Sequence, residues 1–277
     1  MKNAPPTPPI DEAPDSLTER GHLWLLEYID GAPLRFQVRE SGLIRFGDDD
    51  RVFHPEEIPV QYHHAVRYVR EHLDRDALRR AVDDVEDYVF FGTATYRQNI
   101  DYDWARLPSF VGTDVWSGDD GRYLTFDTVE NALDRLGLDA VNAFERELPA
   151  RDFDPDSYTI PESAWYDGPA AGVVVRNKRG QRGQILSADT ESADAGAIDR
   201  TADEIAAESA TEERFATVEQ RLHRRNEAVT VDQLAERVFE AILREQYQPL
   251  VRGPESVALD DLRAAVATRA RAYLGYS

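Results

Sequence analysis

The spacing of hydrophobic positions divides the chain into a strand-rich part before residue 187 and a helical part after it. Strands are predicted where apolar and polar residues alternate between Gly, Asp and Ser turn signals. These segments are HLWLLEYIDG (22–31), APLRFQVRE (32–40), SGLIRFG (41–47), DYVFFGTATY (87–96), SFVGTDVW (109–116), GVVVRN (172–177) and QILS (184–187). Apolar residues at helical spacing predict helices over 58–73, 74–85, 127–138, 212–226, 230–247 and 258–274.

Two segments differ in composition from these elements. Residues 1–19 are rich in proline and acidic residues, which predicts a flexible arm. Residues 188–213 carry nine acidic residues and one basic residue, Arg200, which predicts a linker that runs into a solvated helix. We therefore expect an α+β domain over 20–187, followed by an acidic linker and helical C-terminal region over 188–277.

The charge balance and the residue types that are missing exclude several classes of protein. The chain has 53 acidic and 32 basic residues, a formal charge of −21, and lysine only at Lys2 and Lys178. Such an acidic surface predicts a cytoplasmic protein of a salt-loving organism and argues against strong binding of nucleic acid over the whole surface. The absence of cysteine excludes disulfide partners, and no apolar run approaches the roughly 20 residues that span a membrane.

Four segments carry a resemblance, and their order along the chain matters. They are LLEYIDGAPLRF (25–36), FFGTATY (90–96), FVGTDVW (110–116) and GPAAGVVVRNKRGQRGQILS (168–187). Together they resemble the RNA ligase branch of the covalent nucleotidyltransferases, in which K-x-D-G, F-G-E, F-D-[IV], E-G-[IV]-V and K-x-K follow in this order. The resemblance implies an α+β nucleotidyltransferase fold, ATP-grasp-like, with antiparallel sheets and flanking helices around a nucleotide cleft, plus a small helical C-terminal extension.

The chemistry of that family requires charges that this chain has replaced. A neutral lysine amine attacks the α-phosphorus of ATP, acidic residues support the metal, and strand lysines neutralise the phosphates. The resemblance implies that Tyr28 stands at the lysine position, with Asp30 and Gly31 retained, that Thr93 and Ala171 replace the two glutamates, and that Gln184 replaces a strand lysine. No catalytic residue and no metal site are therefore expected. The resemblance leaves ATP as the cofactor, with Mg²⁺ only in an active protein.

Three arginines are candidates for binding the phosphates of a nucleotide. Arg35 and Arg45 alternate with apolar residues on consecutive predicted strands, and Arg182 is the cation nearest to Gln184. The alternative interpretation of the first two is a solvent-facing sheet surface whose arginines pair with the abundant carboxylates. Likewise, Asp30 and Gly31 also fit an ordinary hairpin turn, and Tyr28 fits a buried aromatic residue of a strand.

Three functional hypotheses follow. The leading one is an RNA ligase-like protein that has lost covalent nucleotidyl transfer and binds a nucleotide or RNA, or regulates an active paralogue. The second is an active ATP-dependent RNA ligase or nucleotidyltransferase with an atypical site. The third is a structural, partner-binding protein that uses the acidic segment 188–213 and the helical tail.

The net charge of −21 generates the first prediction. Raising KCl from about 0.1 M to about 1 M shortens the Debye length from ~10 to ~3 Å, so the repulsion between surface carboxylates is screened. We expect the melting temperature to rise steeply over this range, measured by circular dichroism. A melting temperature that stays constant would remove the argument for a salt-adapted protein.

Overall fold

The computed structural model describes residues 1–191, 200–252 and 257–276. The chain forms two compact units, one of Met1–Thr95 with Asn99–Ala193 and one of Tyr96–Gln98 with Asp194–Ser277. The division expected from the sequence, between residues 187 and 188, stays a prediction. Among the helices of the described residues, none combines the length and the apolar character that a membrane crossing needs.

The first unit is built on two antiparallel sheets. Sheet A has the strand order β7-β1-β8-β9, and sheet B has the order β3-β2-β4-β5-β6. The strands are β1 His22–Glu27, β2 Ala32–Val38, β3 Ile44–Gly47, β4 Tyr88–Ala94, β5 Phe110–Ser117, β6 Arg122–Tyr123, β7 Ala143–Pro149, β8 Gly172–Asn177 and β9 Arg182–Leu186. The seven predicted strand segments are confirmed, although β1 ends one residue before Tyr28.

The helices of the first unit flank the sheets. They are α1 Ser16–Glu19, α2 His63–His72, α3 Arg75–Ala81, α4 Phe126–Arg135 and α5 Ala188–Glu191. The three helices predicted before residue 140 are confirmed with shorter bounds. Helix α2 begins late because residues Val60–Tyr62 form a 3-10 turn after Pro59. Helix α4 ends ahead of Gly137, whose φ of +77° is in the left-handed region that favours glycine.

The second unit consists of helices among the described residues. They are α6 Ala202–Ser209, α7 Glu212–Arg224, α8 Val231–Tyr247 and α9 Leu259–Tyr273. The predicted N-cap of α8 is confirmed, since the Thr230 hydroxyl accepts a hydrogen bond from the Gln233 amide at 3.2 Å. Helix α6 is less solvated than expected because Ile205 is fully buried. Residues 192–199 of the predicted acidic linker lie outside the described residues.

Strand β1, inside sheet A, is buried on both faces, which explains its continuous apolar run. Leu23 and Leu25 pack on one face with Leu17 and with Val173 and Val175 of β8. Trp24 and Leu26 pack on the opposite face, in a second cluster that includes Val111 of sheet B and Phe126 of α4. This second cluster joins the two sheets, and burial of its large side chains stabilises the unit.

Strand β7 was not predicted from the sequence. It is an edge strand on β1, its central residues Glu145, Arg146 and Glu147 are exposed, and its pairing is irregular. An exposed edge strand shows little apolar alternation, so periodicity cannot detect it.

The N-terminal residues differ from the flexible arm that their composition predicts. Leu17 is only 1% exposed, Ile10 and Ala13 pack with the same cluster, and the Pro8 carbonyl accepts a hydrogen bond from the Gln184 amide at 2.9 Å. Three apolar anchors spaced among prolines and acids therefore dock residues 8–17 beside β9. The sequence did not indicate this docking because the three apolar residues are separated by prolines and acidic residues.

Three charged residues, called the triad below, connect the two sheets. Asp114 of β5 accepts two hydrogen bonds from Arg182, at 2.9 and 3.1 Å, and one from Arg176, at 2.9 Å. All three side chains are at least nine-tenths buried. Arg176 also donates to the backbone carbonyls of Thr113 and Leu124.

The position of the triad follows from strand register. Arg176 and Arg182 lie directly opposite each other on β8 and β9, where two like charges repel. An irregularity in the pairing of β4 with β5 falls beside Asp114, and such bulges re-aim a side chain. Burial raises the pKa of Asp114, but the two guanidinium groups outweigh this effect and hold the pKa below its ordinary value. Asp114 is therefore ionised and bound between two cations.

The second prediction concerns Asp114→Asn. Removing the shared anion leaves two buried arginines without charge compensation, which typically costs about 3–5 kcal/mol of the free energy of unfolding. Chemical denaturation should show this loss. The matched control is Asp134→Asn on the exposed surface of α4, which makes the same change in net charge and should alter stability by less than about 0.5 kcal/mol.

The pH dependence of this loss has a defined sign. A carboxyl whose pKa is lowered on folding stabilises the protein above its unfolded pKa of about 3.9, and the contribution disappears as the pH falls through the lower folded-state pKa. The difference between Asp114→Asn and the unmodified chain should therefore be largest near neutral pH and shrink in acid. A difference that is independent of pH would contradict the assigned charge state.

Candidate functional site

A cavity of about 510 Å³ opens in the first unit beside the motif residues. Its walls come from strands of both sheets, from the residues after β1, and from residues 3–7. The side chains with polar or charged groups are Glu27, Tyr28, Arg35, Asp49, Thr93, Thr113, Asp114, Arg176, Arg182 and Gln184, together with Asn3 and Thr7. The volume lies within the range of about 300–1,000 Å³ that is typical of small-molecule sites.

Tyr28 lines this cavity at the position where the resemblance implies a lysine. It is half-buried, and its amide donates to the Gly172 carbonyl at 3.0 Å. Burial raises the pKa of Tyr28, and the nearby negative charge of Asp30 raises it further. Both effects disfavour the phenolate, which is the form that would attack a phosphorus atom. The surroundings of Tyr28 therefore disfavour the phenolate that would act as the nucleophile at this motif position.

Asp30 supports the loop at residues 99–100 and does not line the cavity. Its Oδ2 accepts hydrogen bonds from the Asn99 amide at 2.7 Å and the Ile100 amide at 3.1 Å. Its own amide donates to the Tyr102 hydroxyl at 2.9 Å. Gly31 follows because a Cβ there would lie 2.6 Å from the Ala94 carbonyl oxygen. This Asp-Gly pair is therefore explained by local packing.

The other motif positions divide between the cavity and the core. Thr93 and Gln184 line the cavity. Ala171 is fully buried in the apolar cluster that contains Trp24 and Phe126, so the structure does not bring it to the cavity wall. A methyl group at this position fits an apolar environment in which a glutamate would be desolvated.

Two of the three candidate arginines line the cavity, and the third does not. Arg35 and Arg182 line the cavity and are 4% and 6% exposed, respectively. Arg45 is exposed on β3 and lines a separate groove with Phe46 and Phe53. The strand register explains this difference, because Arg45 lies opposite Gln37, two residues beyond Arg35.

Besides Asp49 and Asp114, two charged cavity residues were missed from the sequence. Glu27 is 2% exposed, and its carboxylate accepts hydrogen bonds from the Ser163 hydroxyl, the Asn142 amide group and the Ala164 backbone amide. Burial raises the pKa of Glu27 despite these bonds. Arg176 is the second, and its signal was its spacing of two from Val174, since both side chains line the cavity.

The cavity has unused hydrogen-bonding capacity. Within the described part of the chain, neither the Nε–H of Arg35 nor that of Arg182 has a hydrogen-bond partner. A buried donor without a partner is costly, and guanidinium groups bind phosphate and carboxylate oxygens. Three arginines and three carboxylates line the cavity, so its fixed charges nearly balance.

Both lysines of the chain lie outside the set of lining residues. Lys178 forms an ion pair with Glu147 at 2.7 Å and lies over the Trp24 ring. Lys2 places its Nζ 4.2 Å from the centroid of the Trp116 ring. A lysine nucleophile is therefore missing from the cavity wall in the described structure.

Residues 2–7, called the cleft segment below, lie along the cavity. Arg35 donates to the Lys2 carbonyl at 2.7 Å and to the Asn3 side-chain oxygen at 2.5 Å. The Tyr123 hydroxyl donates to the Asn3 carbonyl at 2.5 Å. Residues 3–7 themselves form part of the cavity wall.

The fold is similar to that of solved forms of the Naegleria gruberi RNA ligase. One form with ATP and Mn gives a TM-score of 0.54 at 12% identity, over 70% of this chain and 59% of the ligase chain. A second form with ATP and Mn gives 0.52 at 15% identity, over 69% and 58%. A form with AMP and Mn gives 0.52 at 16% identity, over 69% and 57%.

The chain thus spans less than two thirds of the ligase chains that it matches. No family model matches the sequence, and no curated protein matches it. A likeness at 12–16% identity shows the fold alone. The chain has an α+β fold of the RNA ligase and nucleotidyltransferase type.

Proposed function

We propose that this protein binds a nucleotide in the cavity of its ligase-like fold without forming a covalent nucleotidyl intermediate, and acts as a binding or regulatory module. The observation that carries the proposal is the pair of buried guanidinium groups, Arg35 and Arg182, whose Nε–H donors lack partners in the described structure. A phosphate group supplies the oxygen acceptors that these donors need.

The lost covalent step is supported by three features of the cavity. Tyr28 replaces the amine and has a raised pKa, and both lysines of the chain lie outside the cavity wall. Thr93 stands at a position where the resemblance implies a carboxylate that supports the metal. The nucleotide is therefore bound by arginines, and its nucleotidyl group is not transferred to a residue of the protein.

ATP is the nucleotide that we propose, because the similar ligase structures hold ATP or AMP with Mn. The cavity residues Glu27, Asp49 and Asp114 are the carboxylates that line the wall. Glu27 and Asp114 are already occupied by hydrogen bonds from neighbouring side chains, so they are poorly suited to bind a metal ion. Binding of ATP through arginines does not require the metal.

The third prediction concerns self-adenylation. The chain incubated with ATP labelled at the α-phosphate and Mg²⁺ or Mn²⁺, at about 1 M KCl to screen the acidic surface, should give no covalent adduct on a denaturing gel. Tyr28→Lys should also remain unlabelled. The new amine would lie near the negative charge of Asp30 and stay protonated, and no glutamate is supplied at Thr93.

Tyr28→Phe is the matched control for folding at this position. A labelled band that maps to Lys2, Lys178 or Tyr28 in the unmodified chain would favour the alternative of an active nucleotidyltransferase with an atypical site. Lys2 is included because its carbonyl accepts a hydrogen bond from the cavity residue Arg35. Labelling of Tyr28→Lys alone would show that the cavity still supports the metal and the phosphates.

The fourth prediction tests noncovalent binding. We expect Arg35→Gln to weaken ATP binding by about 10–100-fold, since a hydrogen bond to a charged group contributes about 1.5–3 kcal/mol. Arg45→Gln is the matched control, because Arg45 lies outside the cavity and the variant makes the same charge change. Isothermal titration calorimetry measures both. Equal loss of binding in the two variants would point to a nonspecific charge effect and contradict the assigned site.

A further inference from the structure

We propose that the cleft segment, residues 2–7, is an internal competitor of the nucleotide: it occupies the cavity in the free protein and leaves when the nucleotide binds. This inference rests on the proposed function of the cavity as a nucleotide site.

The cleft segment and the proposed nucleotide would occupy the same cavity. Residues 3–7 line the same cavity as Tyr28 and Arg182. Arg35, which is the arginine proposed to bind phosphate, uses its Nη1 to hold the Lys2 carbonyl and the Asn3 side chain. A nucleotide phosphate on this guanidinium would compete directly with the cleft segment for the same donor.

The segment contacts Arg35 through uncharged groups only. Both acceptors that Arg35 contacts are neutral oxygens, and its Nε–H has no partner in the described structure. Hydrogen bonds from a guanidinium to an anionic oxygen are shorter and stronger than those to a neutral one. The cleft segment therefore adds no negative charge beside Arg35, whose charge also acts on the Asp49 carboxyl group of the cavity wall. A phosphate oxygen on the same donors forms the stronger hydrogen bond, so an anionic ligand is favoured over the segment.

The cleft segment and the residues directly after it are rich in proline. Prolines at positions 5, 6, 8 and 9 have no backbone N–H, so this stretch can donate few hydrogen bonds to the cavity wall. Proline also restricts the free chain, so little conformational entropy is lost when the segment docks. Such a segment binds in one extended conformation, yet few bonds must break for its release.

The residues that follow the cleft segment are held on the sheet and can anchor it when it leaves the cavity. The Pro8 carbonyl accepts a hydrogen bond from the Gln184 amide, and Pro9 pairs in parallel with Gln184 at the edge of sheet A. Ile10 and Leu17 then pack on the sheet. Residues 8–17 can therefore stay docked while residues 2–7 leave the cavity, and the released segment remains tethered beside its opening.

Calorimetry with ATP compares three chains: the unmodified one, one that lacks residues 2–7, and Glu12→Gln. Glu12 is exposed on the docked part of the N-terminal residues, so Glu12→Gln should bind like the unmodified chain. If the segment fills the cavity about nine tenths of the time, its removal should tighten the apparent Kd about tenfold. Adding the peptide MKNAPPTPP should reverse the gain in the shortened chain.

A second measurement follows the segment itself. The chain has no cysteine, so Ala4→Cys carries a single spin label in the cleft segment. Saturating ATP should increase the mobility of this label, and the same label at Glu12→Cys should not respond. Melting temperatures of all variants show whether the fold is intact.

The outcomes separate the two proposals. Absence of Arg35-dependent ATP binding in both the full and the shortened chain would overturn the proposed function, and the competitor role with it. Equal Kd values in the two chains, or ATP binding without a change in label mobility, would overturn the competitor role alone. Tighter binding in the shortened chain, reversed by the peptide, supports both.

Discussion

The buried triad of Asp114, Arg176 and Arg182 is the interaction on which the cavity depends. Two arginines face each other across β8 and β9, and only the carboxylate from sheet B makes this arrangement tolerable. The same contact fixes the distance between the two sheets at the place where the cavity opens. Both Nη groups of Arg182 donate to Asp114, so only its buried Nε–H lacks a hydrogen-bond partner in the described structure.

The residues of this chain that match the motifs of the resemblance have local structural roles. Gly31 and Gly172 remain because a Cβ at either position would meet a backbone carbonyl within 2.6 Å. Asp30 remains because it anchors two backbone amides of the loop at residues 99–100. Retention at these positions is thus a matter of packing and hydrogen bonding. Tyr28, Thr93 and Gln184 line the cavity, and Tyr28 also packs against the cluster that contains Trp24 and Phe126.

Arg35 connects the proposed binding of nucleotide with the N-terminal residues. It is a buried cation whose hydrogen-bond acceptors are neutral oxygens of the cleft segment, while the Asp49 carboxyl group interacts with its charge. A cation in this state favours an anion over its present ligand, while the burial of the side chain limits screening by salt. A buried arginine keeps its attraction for an anion at high ionic strength, where exposed arginines lose most of theirs.

The sequence by itself determined seven of the nine described strands, the helices of the second unit and the family resemblance, because these depend on periodicity and on short motifs. It also named Tyr28, Thr93 and Gln184 as candidate site positions, and all three line the cavity. Strand β7 and the docked residues 8–17 escaped detection, since an exposed edge strand and a proline-rich segment carry little apolar periodicity. Only the tertiary structure decided that Arg35 lines the cavity and Arg45 does not, that Ala171 lies in the core, and that Arg176 and Asp114 meet. The positions of these side chains depend on strand register and on how the two sheets pack together. Residues far apart in the sequence determine both.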